Sequence, residues 1–204
     1  MAEVIIKAGG SLQKGSNLAD LCLALGSIGK KQRIIIIPGG GIFADSVRNC
    51  TRDFNINQDI SHWMAILAMN QYGYLLASLI PGSICMEDIE EAKNCADNYQ
   101  PVVFLPYRLI NAEDPLPHSW DATSDSIAAW IAGYVDSKRL ILLKSKNLYQ
   151  TDKPDQDYKN PVDLDYLKKT DLVDPMFYSV MKKLSLDLWI INGNFTEQLI
   201  GLLG

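Results

Sequence analysis

The chain has 204 residues, of which 48% are apolar, and this is enough for one α/β domain with a sizeable core. The net charge of −5 is spread over interspersed acidic and basic residues, without the basic run that grips nucleic acid, so we expect no nucleic-acid partner. No apolar run reaches the ~18 residues of a membrane span and the start reads as a strand, so we expect a cytoplasmic protein without a membrane partner.

The chain begins with the same unit twice: a strand, a cluster of glycines and then a helix. The apolar run at 3–7 (EVIIK) leads into Ala8-Gly9-Gly10-Ser11 and a helix predicted over 16–28. The run at 33–37 (RIIII) leads into Pro38-Gly39-Gly40-Gly41 and a helix predicted over 42–54. Because neither run alternates with polar residues, both strands are expected to be buried on both faces, in the centre of a parallel sheet.

Strands and helices continue to alternate along the rest of the chain. We predict helices over 57–79, 88–96, 163–169, 175–184 and 195–203, and strands over 83–86, 102–105, 139–143 and 188–191. A further helix is predicted to begin within the stretch 119–132 and to run to about residue 135. Residues 107–120 are predicted to be loop because Pro115 and Pro117 exclude regular structure, and the polar stretch 144–161 is either a functional loop or disordered. The alternation predicts an α/β fold, a three-layer α/β/α sandwich around a mostly parallel sheet, as one domain whose two functional halves divide near residue 106.

Glycines directly after buried strands place backbone amides at the carboxyl edge of the sheet, where parallel sheets bind their ligands. Amides at a helix start suit anions, phosphates above all. Each glycine cluster alone is explained equally well by a tight turn. Two clusters in succession, each after an apolar strand, favour a site that holds two anionic groups close together.

Lys7 ends the first strand, at the edge that both glycine loops share. A lysine at a strand end is either simply exposed or, between two phosphate loops, neutralises a phosphoryl group in transfer. Phosphoryl transfer depends on positioning and electrostatics, so it needs no enzyme nucleophile. With two histidines and four scattered cysteines, the chain offers no convincing nucleophile–base arrangement and no zinc site.

The stretch at 119–132 (SWDATSDSIAAWIA) passes from polar loop into helix, with Asp121, Thr123 and Asp125 at the transition. Such residues are common helix caps, because their oxygens accept hydrogen bonds from first-turn amides. Two carboxylates beside two hydroxyls, directly after His118, favour a polar site instead.

These motifs resemble the amino acid kinase superfamily, which includes acetylglutamate, aspartate and uridylate kinases. The resemblance rests on residues 7–11 (KAGGS), 38–41 (PGGG), 123–126 (TSDS) and the strand and loop at 142–154, and it covers essentially the whole chain. It implies an ATP-dependent kinase, with Mg²⁺ bridging ATP oxygens and held by phosphates and water rather than by assigned protein ligands. It implies catalytic roles for Lys7 and Asp125, ATP contacts for Gly9, Gly10, Ser11, Lys144, Ser145 and Tyr149, and acceptor contacts for Gly40 and Gly41.

Within that superfamily, residues 62–69 with 71–73, 105–108, 115–121 and 143–145 resemble the branch that acts in methanofuran biosynthesis. Its small kinases convert (5-(aminomethyl)furan-3-yl)methyl phosphate to a diphosphate, so the resemblance implies a small-molecule phosphate acceptor. The first half would be the acceptor side and the second half the nucleotide side. The alternatives are a carboxylate kinase of the acetylglutamate or aspartate type, or a nucleotide- or oxyanion-storage protein on the same fold.

Six further residues are candidates for acceptor binding: Asp45, Arg48, His62, His118, Asp121 and Thr123. His62 either recognises the aminomethyl or furan group or is a structural helix residue, and Asp45 with Arg48 forms either a surface ion pair or part of a phosphate site. The chain departs from the superfamily in lacking Gly-Met before a late helix lysine, for which Lys144 or Lys146 is the substitute. The long helix with Trp63 predicts a homo-oligomer.

Overall fold

The computed structural model describes residues 4–15, 17–147 and 160–204, and in these residues six strands form one parallel sheet. The strand order is β3-β4-β2-β1-β5-β6. The strands are β1 (Val4–Ala8), β2 (Ile34–Pro38), β3 (Ile84–Met86), β4 (Val102–Phe104), β5 (Arg139–Lys144) and β6 (Asp187–Asn192).

Helices connect successive strands. They are α1 (Leu18–Gly29), α2 (Gly41–Asp53), α3 (Gln58–Leu79), α4 (Ile89–Asp97), α5 (Tyr107–Glu113), α6 (Ser124–Tyr134), α7 (Leu164–Leu167), α8 (Phe177–Met181) and α9 (Thr196–Leu203), with a 3₁₀ turn at Gly10–Lys14. Within the described ranges, none of these helices, α3 included, combines the length and apolar character that a bilayer crossing requires.

The sheet is covered on both faces, which confirms the three-layer sandwich. Side chains alternate along β1, so Ile5 packs with α4, α6 and α8 on one face. Val4 and Ile6 pack with α1, α9 and the second half of α3 on the other face. The continuous apolar runs of β1 and β2 are fully buried, as expected for central strands of a parallel sheet.

One element was predicted wrongly, since residues 107–113 form the helix α5 and not a loop. Pro115 and Pro117 lie beyond its end, where Asp114 adopts a left-handed conformation at φ 43°. Leu109 and Ile110 are buried on the inner side of this two-turn helix, and their burial stabilises it. The segment is too short for its sequence to show helical periodicity. The predicted loop at 144–161 falls largely outside the described residues.

The chain order reverses at β1, which pairs with β2 on one side and β5 on the other. Ligands of open parallel sheets bind at the carboxyl ends of the strands beside such a reversal. Lys7 is the penultimate residue of β1 and pairs in register with Ile37 and Leu142. Its place in the sheet therefore puts the lysine at the crevice that the topology creates.

Candidate active site

The two glycine loops touch each other across the end of β1. A Cβ on Gly10 would lie 2.2 Å from the backbone nitrogen of Gly41, and one on Gly39 would lie 2.6 Å from the nitrogen of Gly10. The Gly39 amide donates to the Ala8 carbonyl at 2.8 Å, and the Gly9 amide donates to the Leu143 carbonyl at 3.0 Å. Only glycine allows this approach, so the sequence clusters serve to bring two stretches of backbone together.

The second loop opens directly into α2. Gly41 has φ +55°, a left-handed conformation that favours glycine, and Gly40 caps the helix without a side chain. The Ile42 amide is bound by the Gln13 side chain at 2.8 Å. The start of this 13-residue helix brings the positive end of its dipole to the crevice, which suits an anion.

Two lysines meet one buried carboxylate where the loops converge. Lys7 Nζ lies 2.8 Å from Asp125 Oδ1, and Lys144 Nζ lies 2.5 Å from Asp125 Oδ2. The three side chains are 5%, 12% and 7% exposed for Lys7, Lys144 and Asp125. Asp125 therefore organises the lysines and does not cap α6.

Burial disfavours the charged forms of Asp125 and Lys144, and their ion pairs offset this effect to different extents. Burial alone would raise the pKa of Asp125, but Lys7 and Lys144 outweigh it and hold that pKa at about 2. Burial, reinforced by the charge of Lys7, lowers the pKa of Lys144 to about 8 despite its contact with Asp125. The carboxylate is thus firmly ionised, whereas the Lys144 ammonium is held less tightly.

Asp174 fixes the first turn of α6 and was missed in the sequence as a site residue. Its Oδ2 accepts hydrogen bonds from the Thr123 amide at 3.0 Å, the Thr123 hydroxyl at 2.8 Å and the Ser126 amide at 3.0 Å. Its Oδ1 accepts from the Ser126 hydroxyl and from the Phe177 amide. Sequence reading recognises Asp174 as a local cap before Pro175, but its partners 48 to 51 residues away become visible only in the fold.

A cavity of about 550 Å³ opens over the triad and gathers most of the predicted site residues. Those that line it are Lys7, Gly9, Gly10, Ser11, Gly40, Gly41, Asp45, Arg48, His62, Thr123, Asp125 and Lys144. The sequence did not single out other lining residues: Lys14, Thr51, Ser61, Ile66, Met69 and Trp120. Thr51, Ser61, Ile66 and Met69 reach the cavity because α2 and α3 pack against each other, whereas Lys14 lies in the 3₁₀ turn and Trp120 in the loop before α6.

Four predicted residues do not line this cavity. Ser145 lies beside it and donates its hydroxyl to Ser11 at 2.9 Å, which ties the end of β5 to the first glycine loop. His118 lies behind His62, and Asp121 is exposed, with its carbonyl bound by the Met176 amide at 3.0 Å. Tyr149 lies outside the described residues.

The charge of the cavity favours anions. Lys7, Lys14, Arg48 and Lys144 oppose two lining carboxylates, Asp45 and Asp125. Arg48 contacts Asp45 at 3.1 Å and stacks on the Trp120 ring at 4.3 Å, and Lys14 contacts Asp45 at 3.3 Å. Of the residues described, the lining therefore carries an excess of two positive charges.

Transfer of a phosphoryl group between two anions requires what this geometry provides. Negative charge spreads over the peripheral oxygens in the transition state, so positioned amides and ammonium groups are the main contributions of the protein. The fold and the site together define a phosphotransferase.

The particular family follows from comparison with known proteins. The chain belongs to the amino acid kinase family, whose model matches residues 2–176, and it is accordingly a kinase. It is 29% identical over 202 residues to the [5-(aminomethyl)furan-3-yl]methyl phosphate kinase of Methanocaldococcus jannaschii, covering 98% of this chain and 92% of that protein. It is 26% identical over 160 residues to the uridylate kinase of Methanothrix thermoacetophila, covering 76% and 67% of the two chains.

Solved structures show the same fold at lower identity. The uridylate kinase of Archaeoglobus fulgidus superposes with a TM-score of 0.74 at 18% identity, covering 98% of this chain and 95% of that chain. The UMP kinase of Ureaplasma parvum superposes with a TM-score of 0.70 at 16% identity, covering 98% and 93%. These similarities confirm the amino acid kinase fold that the sequence motifs predicted.

Proposed function

We propose that this kinase transfers the γ-phosphoryl group of ATP to the phosphate of (5-(aminomethyl)furan-3-yl)methyl phosphate, giving the corresponding diphosphate. The lysine–carboxylate–lysine triad beneath two touching glycine loops is the observation that carries the proposal. The match to the M. jannaschii kinase over nearly the full length of both chains supports this acceptor.

The two sides of the cavity have different characters, and this supports one assignment of the ligands. The first glycine loop is tied to the end of β5 through Ser11 and Ser145, and this joined surface would hold the ATP phosphates. The second loop continues into α2, which packs on α3, and apolar walls are supplied there by Ile66 and Met69 of α3 and by Trp120 of the loop before α6. Such walls suit a small aromatic ring whose phosphate reaches the amides of the second loop.

The chemical step needs no base in this arrangement. An oxygen of the acceptor phosphate, already an anion, forms a bond to the γ-phosphorus while the bond from that phosphorus to the β–γ bridging oxygen breaks. ADP then leaves with the bridging oxygen and its electrons. Lys7 and Lys144, held apart by Asp125, would stabilise the charge on the transferring group from two directions.

The side chains described here fit a Mg²⁺ ion that is held by the nucleotide. Both lining carboxylates are engaged, Asp45 by Lys14 and Arg48 and Asp125 by the two buried lysines. Mg²⁺ commonly keeps several waters and binds substrate phosphates in such sites. The ion would supply further neutralisation of ATP oxygens, with the protein positioning the phosphates.

An acceptor screen tests the proposal directly. The purified full chain is incubated with ATP and Mg²⁺ and one acceptor, and ADP release is followed while ³¹P NMR identifies the product. We expect rapid ADP release and a diphosphate with the furanmethyl phosphate. Release with UMP alone would identify a uridylate kinase, and release with acetylglutamate or aspartate alone would identify a carboxylate kinase. Unstimulated hydrolysis with tight retention of the anion would identify a storage protein.

A further inference from the structure

A cluster of three side chains, Asp59, His118 and Asp114, lies beside the cavity and outside the triad. His118 Nδ1 lies 2.8 Å from Asp59 Oδ1, and His118 Nε2 lies 2.8 Å from Asp114 Oδ1. Because an ionised carboxylate only accepts, hydrogen bonds to both carboxylates require hydrogen on both ring nitrogens, and this geometry favours the imidazolium form of His118. The contacts with Asp114 and then Asp59 accordingly raise the pKa of His118. Two carboxylates and one imidazolium leave this cluster with a net charge of −1.

His62 stacks on this imidazolium and lines the cavity. The two rings lie 4.4 Å apart at 18°, and Trp63 packs edge-on to both at 4.9 Å. Burial and then the charge of His118 lower the pKa of His62, so its ring is neutral at pH 7. His62 is therefore an uncharged imidazole placed between the cavity and the Asp59–His118–Asp114 cluster.

The Nε2 atom of His62 is enclosed and has no hydrogen-bond partner among the described residues, although the side chain is 7% exposed. Buried polar atoms in proteins are nearly always paired, so this nitrogen calls for a partner. The Ser61 and Thr51 hydroxyls, which also line the cavity, already bond each other at 2.8 Å. Arg48, another lining residue, is paired with Asp45 and stacked on Trp120.

We propose that His62 receives a primary ammonium group of the acceptor, whose N–H donates to the lone pair of Nε2. Behind the ring, Asp114 and Asp59 attract a cationic donor while the nearer His118 opposes it. The unpaired lone pair of Nε2 is therefore what carries the assignment, and His118 acts as a positioning residue that fixes the ring plane. This inference rests on the proposed function and deepens it. The acceptor class becomes an amino-substituted aromatic phosphate monoester, with its phosphate at the second glycine loop and its amine at the first turns of α3.

A pair of acceptors tests the assignment in the wild-type enzyme. The kcat/KM for (5-(aminomethyl)furan-3-yl)methyl phosphate is compared with that for the analogue in which a methyl group replaces the aminomethyl group. A charge-assisted hydrogen bond predicts a ratio of about 10- to 100-fold in favour of the amine. A ratio near one would overturn the His62 assignment and leave the proposed function standing. If neither compound were phosphorylated, both proposals would fall.

Variants of the enzyme then test which side chain binds the ammonium group of the acceptor. His62→Leu should reduce the ratio to near one, and His62→Gln, whose amide oxygen still accepts, should keep an intermediate ratio. Asp114→Asn should lower the ratio about two- to fivefold, as expected for a partly exposed charge. Glu90→Gln removes a surface charge on α4 and should leave the ratio unchanged. If His62→Leu does not fold, the glutamine and asparagine variants supply the same readout, and an unchanged ratio in the folded variants would place the amine site elsewhere.

Discussion

The contact between the two glycine loops gives the sharpest prediction, through the variant Gly10→Ala. The added Cβ would lie 2.2 Å from Gly41 N and 2.6 Å from Gly41 Cα, whereas ordinary contacts begin at 3.4 Å. Backbone atoms cannot rotate away as a side chain does, so the loops must part by about 1 Å. A misplacement of about 1 Å in reacting groups can cost about 10²-fold in rate. We therefore expect kcat to fall by about two orders of magnitude.

The variant also loses stability, and a matched glycine separates this effect from the loss of rate. Overpacking costs about 1–3 kcal/mol, and each kcal/mol lowers Tm by about 2–4 °C in a chain of this size. A Cβ on Gly26 would meet Pro81 at 2.8 Å, between α1 and the start of β3, at the opposite edge of the sheet. Gly26→Ala should therefore lower Tm to a similar extent and leave kcat unchanged.

The assay is ADP release with the accepted phosphate ester, measured at least 15 °C below the lower Tm of the two variants, with melting followed by circular dichroism. The reasoning depends on a rate loss that is specific to Gly10. A folded Gly10→Ala enzyme with wild-type kcat would show that the approach of the loops is not needed for transfer. An equal loss of kcat in Gly26→Ala would show that general destabilisation explains both.

Three further predictions concern the triad, each measured by steady-state kinetics. Lys7→Ala should lower kcat about 10²–10³-fold, as for loss of one oxyanion donor, and a normal rate would exclude Lys7 from the transition state. Asp125→Asn should lower kcat more than it weakens ATP binding, and a change confined to ATP affinity would make its role binding alone. Because the pKa of Lys144 is lowered to about 8, its ammonium is present below that pH, and kcat/KM should fall as pH rises through about 8. Lys144→Arg should remove this basic limb; a limb that persists belongs to another group.

The sequence predicted the layers of the fold because its central strands are unusually apolar. Runs such as IIII in β2 can be buried only between two layers of helices, and the glycines after them mark the carboxyl edge. Short elements held by tertiary contacts are harder to predict. Tyr107–Glu113 makes two helical turns, and its helical state depends on burial of Leu109 and Ile110, which no local pattern shows.

The same distinction applies to the site. The glycines and Lys7 occupy recognisable motifs, so their convergence could be anticipated from strand ends alone. The roles of Asp174 and Trp120 depend on contacts between segments far apart in sequence. His118 was expected at the acceptor, and the structure places it behind His62, where Asp59 from α3 and Asp114 from the end of α5 hold it.

Lys144 shows why the order of strands matters as much as any motif. In the pairing of β1 with β5, Lys7 lies opposite Leu142, and Lys144 is two residues further along β5. Side chains two residues apart in a strand lie on the same face of the sheet, so Lys7 and Lys144 both point towards α6. Asp125, in the first turn of α6, contacts both of them. Had β1 paired with another strand in place of β5, the second lysine would lie away from that carboxylate. The position of each lysine in its strand determines which face of the sheet its side chain lies on. The pairing of β1 with β5 then makes the two lysines neighbours.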